Sequence, residues 1–181
     1  MLGLKQIIMA GTGGQGLVSL AAMLAESAMS EGLNTIQTQS YGVAQRGGFI
    51  SAEVLLSDGE ILYQQVRVPD VITVLHGVVG TRYDEAACPV VYDSTLVHTA
   101  QKDKPNWLGV PCTEIATDLG DARAANIVAF GAMLAVLPVL TPESMEEAIR
   151  HRFAKPKARE LNITAFHKGY GIAREALGRQ A

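Results

Sequence analysis

Hydrophobic positions alternate between short continuous runs and stretches with helical spacing, the pattern of an α/β protein. Ile7-Ile8-Met9-Ala10 reads as a buried strand that enters the glycine turn Gly11-Thr12-Gly13-Gly14-Gln15-Gly16. Leu17, Leu20, Ala21, Leu24, Ala25 and Ala28 then fall at i, i+3, i+4, i+7, i+8 and i+11, the stripe of a helix packed on a sheet. Gly32 suits the cap that ends this helix near Glu31. Thr35-Ile36-Gln37-Thr38 supplies a second strand and completes a Rossmann-like β-α-β start, whose two strands are expected to pair in parallel.

Phe49 to Leu56 favours strand, and Ser57-Asp58-Gly59 is a turn signal leading to Glu60-Ile61-Leu62-Tyr63, so a hairpin is expected and the sheet should be mixed. Asp70 to His76 and Pro89 to Asp93 are two interior strands, with a helix near Gly77 to Glu85 between them. A short strand near Leu108 to Pro111 leads to a helical turn from Thr113, an N-cap candidate. Helices follow over Ala122 to Leu137, from the capping Thr141 and first-turn Pro142, and over about Asn162 to Leu177. Together these elements predict one domain over residues 1–181, a three-layer α/β/α arrangement with a mixed, mainly parallel sheet. There is no internal repeat, low-complexity tract or linker.

Composition changes this picture in two ways. Hydrophobic residues make up 48% and charged residues 18%, an oily balance that points to surface covered by another chain, a second copy included. A net charge of -3 argues against a nucleic-acid protein, whose phosphate-binding face shows as a basic excess. The uncharged run from Gln6 to Ala25 is split by its glycines into strand and helix, and that from Ala124 to Pro142 falls short of a membrane span, so no membrane segment is expected. Cys88 and Cys112 are far apart and belong to no C-x-x-C, which suits reduced thiols in a cytoplasmic protein.

The candidate chemistry is a binding site without a catalytic engine. Gly11, Gly13 and Gly16 fit G-x-G-x-x-G, and the helix behind them offers free N–H donors and a partial positive charge to an anion. An acidic residue for a ribose is missing, because Thr38, Gln39 and Ser40 stand at the end of the second strand. Leu17-Val18 replaces the Lys and Ser/Thr of a Walker A loop. Ser40-Tyr41-Gly42 and Arg46-Gly47-Gly48 form a second loop, expected beside the glycine turn, in which Arg46 is a donor fork suited to a phosphate or carboxylate. Asn126 heads an apolar helix and is a further site candidate, equally explained as a buried amide. Arg150, Arg152, Lys155, Lys157 and Arg159 form a basic cluster, which a solvated helix end also explains. The four histidines lack ligand spacing and no G-x-S-x-G is present, so no metal-ligating or catalytic residue is assigned.

With these residues in place, the sequence resembles the gamma subunit, or gamma domain, of the 2-oxoacid:ferredoxin oxidoreductases, the pyruvate, 2-oxoglutarate, 2-ketoisovalerate and indolepyruvate enzymes. Gly11-Thr12-Gly13-Gly14-Gln15-Gly16 looks like that family's G-x-G-G-Q-G, and Ser40-Tyr41-Gly42 with Arg46-Gly47-Gly48 looks like its S-Y-G-x-x-x-R-G-G. Val91-Tyr92-Asp93-Ser94, Ala125 to Gly131 and Glu160-Leu161-Asn162 follow its order. Ala44 departs from the glutamate of many members and is similar to the indolepyruvate-type variant, which leaves the 2-oxoacid open. The resemblance implies oxidative decarboxylation of a 2-oxoacid with coenzyme A to an acyl-CoA, carbon dioxide and reduced ferredoxin. It implies that thiamine diphosphate, magnesium and iron–sulfur clusters sit in alpha, beta and ferredoxin-like delta partners, and that this chain helps enclose coenzyme A. Gly11, Gly13, Gly14, Gln15, Gly16, Ser40, Tyr41, Arg46, Gly47, Gly48 and Asn126 are the residues expected to face it. The competing classes are a free-standing nucleotide-dependent oxidoreductase and a non-catalytic nucleotide- or anion-binding regulator.

Overall fold

The computed structural model describes residues 2–42, 48–98 and 104–179. Six strands form a single sheet: β1 (Lys5–Thr12), β2 (Asn34–Tyr41), β3 (Phe49–Ser57), β4 (Val71–Val74), β5 (Val90–Asp93) and β6 (Trp107–Val110). Their order is β2-β3-β1-β4-β5-β6. β1, β4, β5 and β6 run parallel, whereas β3 is antiparallel to both of its neighbours. The expected mixed, mainly parallel α/β sheet is present.

Two local expectations are corrected. β2 does not pair with β1, because β3 lies between them, with Ile7 opposite Val54 and Gln37 opposite Val54 on its other edge. The reason lies in the residues. β2 reads Asn-Thr-Ile-Gln-Thr-Gln-Ser-Tyr, half-buried to exposed throughout, whereas β3 carries Ser51, Ala52, Val54, Leu55 and Leu56 buried on both faces. The apolar strand takes the interior and the polar one the edge. The hairpin expected over Phe49 to Tyr63 is instead formed by β2 and β3, since both edges of β3 are filled and Glu60 to Tyr63 has no edge to join. Asp58, at the abandoned turn, instead accepts from the Leu2 and Gly3 amides at 2.7 and 3.1 Å.

Five helices cover one face: α1 (Leu17–Ser30), α2 (Cys112–Asp118), α3 (Ala125–Val136), α4 (Pro142–Arg152) and α5 (Pro156–Gly178). The pleat decides what each face sees. Ile7 and Met9 of β1 join the core beneath these helices, while Ala10, Ile72, Val74 and Tyr92 join a smaller core on the opposite face. There the third layer is thin, made of the 3-10 helix Gly77–Tyr83 and the residues following it. α3 is apolar all round and carries nine consecutive buried residues, Ile127 to Ala135, because the sheet covers one side and α5 the other. α4 begins as its sequence predicts, with Thr141 Oγ1 accepting from Ser144 N at 3.3 Å and Pro142 in the first turn. α5 starts at Pro156, earlier than Asn162, which draws Lys157 and Arg159 of the basic cluster into its first turn. Thr113 is not a cap: Pro111 precedes α2, and the Thr113 hydroxyl donates to Asp93 Oδ2 at 2.5 Å.

The two thiols sit on opposite faces of the sheet, Cys112 in the helical core and Cys88 half-buried against the other. Burial raises both pKa values, that of Cys112 well above its ordinary range. Iodoacetamide at pH 8 is therefore expected to alkylate Cys88 slowly and Cys112 only when denaturant unfolds the chain. Mass spectrometry of the quenched peptides reads both rates, and labelling of native Cys112 at the rate of Cys88 would overturn the expectation.

Candidate functional site

The C-terminal ends of β1, β4, β5 and β6 lie along one edge of the sheet, where open α/β sheets hold ligands. The glycine turn leaves β1 at this edge. Gln15 holds its shape: Oε1 accepts from Thr12 N at 2.8 Å, while Nε2 donates to Leu75 O, just past β4, at 2.8 Å. Gly14 and Gly16 have φ of 93° and 74°, a region only glycine enters freely. Gly16 caps α1 with no side-chain hydrogen bond, so the first amides of that helix stay open to an anion.

Asn126, in the first turn of α3, reaches across and donates from Nδ2 to Gln15 O at 2.9 Å. A Cβ on Gly16 would lie 2.5 Å from that nitrogen, so this glycine is required by contact as well as by φ. Asn126 is thereby a positioning residue for the turn. Ser40 and Tyr41 stand exposed at the same end of the sheet, where Tyr41 pairs with Ile50 and Gly42 N donates to Phe49 O at 2.7 Å. Thr12 is opposite Phe49, so the first residues of β3 separate the two sequence motifs. Gly48 is the last residue before β3; Arg46 and Gly47 lie outside the described residues.

Two adjoining cavities open on this edge, sharing Gly14, Gln15, Arg123 and Asn126 in their walls. One, of about 380 Å³, extends between α1, α3 and the α4–α5 corner to Met23, Phe153 and Asn162. The other, of about 270 Å³, lies over the ends of β4 and β5 and includes Asp93 and Thr113. Arg123 Nη2 pairs with Asp121 Oδ2 at 2.6 Å, and its hydrogen bonds hold the Asp121 carboxyl below the usual range. Asp93 is buried and accepts from Thr95 N at 3.0 Å and from Thr113 N at 3.2 Å, which ties the end of β5 to α2. Sequence spacing gave no sign of Arg123, Arg152 or Asn162 as neighbours of the turn. The α4–α5 corner that brings the latter two there is a tertiary contact without a local signature.

Residues 6–172 match the family described as Pyruvate ferredoxin/flavodoxin oxidoreductase. The chain belongs to that family. It is 38% identical over 172 residues to the 2-oxoglutarate synthase subunit KorC of Archaeoglobus fulgidus, covering 93% of this chain and 87% of that one. It is also 38% identical over 178 residues to the ketoisovalerate oxidoreductase subunit VorA of Methanothermobacter thermautotrophicus, of which it spans 36%. Among solved structures, the keto/oxoacid ferredoxin oxidoreductase gamma subunit from Geobacter sulfurreducens superposes with a TM-score of 0.78 at 32% identity, covering 93% of this chain and 98% of that one.

Proposed function

We propose that this chain is the gamma subunit of a 2-oxoacid:ferredoxin oxidoreductase and forms part of its coenzyme A site. The reaction joins the acyl group of a 2-oxoacid to the thiol of coenzyme A and releases carbon dioxide, a proton and two electrons for ferredoxin. The observation that carries this reading is the near end-to-end likeness to a 2-oxoglutarate synthase subunit, 93% of one chain against 87% of the other. The chain works in this reading as one subunit among several in the cytoplasm. No helix among the described residues is long and apolar enough to cross a membrane.

The residues of this chain do not fit the redox groups of such a complex. An iron–sulfur cluster takes four thiolates, and Cys88 and Cys112 lie on opposite faces of the sheet. No three of His, Cys, Asp and Glu gather among the described residues, which leaves no set for thiamine-bound magnesium. Those groups belong, in this reading, to alpha, beta and delta partners. What the chain does fit is an anion: open amides at Gly16 and the start of α1, a turn held by Gln15 and Asn126, and Arg46 in the neighbouring loop.

Purification of the chain from its source cell tests the first half, with co-elution of thiamine- and iron-containing partners as the expected result. A chain that elutes alone and turns over a 2-oxoacid unaided would refute it. For the second half, Arg46→Ala in the assembled enzyme removes a charge-assisted hydrogen bond of about 1.5–3 kcal/mol, so the KM for coenzyme A should rise about tenfold or more while the KM for the 2-oxoacid holds. An unchanged KM for coenzyme A counts against the assignment.

A further inference from the structure

The larger cavity is built for more than an anion. Its inner walls are apolar, formed by Met23 of α1, Ile127 of α3 and Phe153 at the α4–α5 corner. One polar side chain is set into that lining. Asn162 of α5 is only 6% exposed, and its Nδ2 donates to Ala158 O at 2.7 Å. That bond fixes the amide's orientation, because the flipped form would set two carbonyl oxygens against each other. Asn162 Oδ1 is therefore the free end, and among the described residues it accepts no hydrogen bond. A buried acceptor without a donor costs free energy in the empty site and rewards a ligand that supplies one.

The surroundings specify that ligand further. Arg152, at the end of α4, lines the same cavity and pairs with no carboxylate among the described residues. The open amides at Gly16 form the opposite wall. A flat, largely apolar ring carrying an N–H donor, joined to phosphate, meets all three demands. We propose that this cavity holds the adenine ring of coenzyme A, with Asn162 Oδ1 accepting from the exocyclic amino group and the phosphates lying between Arg152 and the glycine turn. The inference rests on the coenzyme A reading and adds a direction to it. The nucleotide end sits against α5, and the pantetheine arm leaves past the glycine turn toward Tyr41.

Calorimetric titration of the full chain with ADP and with IDP tests this. IDP keeps the ring and the phosphates but presents a carbonyl where adenine has its amino group. ADP should bind at least tenfold more tightly than IDP, since the carbonyl of hypoxanthine would face that of Asn162. Asn162→Leu should bring the two affinities within about twofold, and Ser19→Phe, which fills the cavity from α1, should abolish ADP binding; thermal melts check that both variants fold. Equal binding of ADP and IDP, binding of neither, or ADP binding undisturbed by Ser19→Phe would overturn the adenine site. In that case co-elution with partner subunits and a raised KM in Arg46→Ala would still leave the subunit reading standing, so the two fail separately.

Discussion

Gly131→Ala and Gly169→Ala are each expected to destabilise the protein by about 3 kcal/mol or more, among the largest effects of any single methyl group in this fold. α3 and α5 cross with their backbones almost touching. A Cβ on Gly131 would fall on the Phe166 carbonyl group and within 2.9 Å of Tyr170 N, and one on Gly169 would fall on the Val128 carbonyl group, 2.7 Å from its carbon. None of these atoms is the end of a flexible side chain, so relief requires the helices to part along a surface packed at native density. Parting them strips cover from α3, whose buried run extends from Ile127 to Ala135. For a chain of this length the loss should appear as a fall in Tm of roughly 6–12 °C. Gly171→Ala is the internal control: it lies on the same helix, an added Cβ meets nothing within 4 Å, and removing a helical glycine should add about 0.5–1 kcal/mol. If the Tm of Gly131→Ala or Gly169→Ala matched that of Gly171→Ala, the close crossing would be wrong.

Such a crossing shows where sequence reading stops. α1 was legible from the spacing of Leu17, Leu20 and Leu24, and α4 from Thr141 and Pro142, because each signal lies within one turn of the element it marks. The order of the strands was not. Whether β2 or β3 sits beside β1 depends on which buries more apolar surface between two neighbours, and that comparison spans the whole sheet. The turn at Ser57-Asp58-Gly59 misled for the same reason: its local chemistry is that of a hairpin, but β3 had already spent both edges. At the site, the glycine turn and Asn126 were found because glycine and a polar residue in an apolar helix stand out in any sequence. Gln15 was named without its function, since nothing in the spacing says that Leu75 O will lie 2.8 Å from its amide. Arg152 and Asn162 belonged respectively to a basic cluster and a helix interior, and only the corner between α4 and α5 turns them toward α1.

Gly16→Ala should cost about 2–4 kcal/mol, and the cost should depend on Asn126. Two separate penalties meet at this residue. The left-handed conformation at φ 74° charges any L side chain about 1–2 kcal/mol, whatever the space around it. The remainder is steric: the new methyl would press on Asn126 Nδ2 at 2.5 Å and break its hydrogen bond to Gln15 O. Asn126→Ala removes the obstacle and already forfeits that bond, so in its background Gly16→Ala should cost only the conformational part. A double-mutant cycle read by urea unfolding should therefore give a total smaller than the sum of the single effects, by about 1 kcal/mol or more. Strict additivity would mean that Asn126 and the turn do not act as a unit. Enzyme kinetics in the assembled complex separate holding the turn from filling it. Since the amides of the turn are what an anion would meet, either single variant should raise the KM for coenzyme A, and the double variant should raise it little further, because the same turn can be disordered only once.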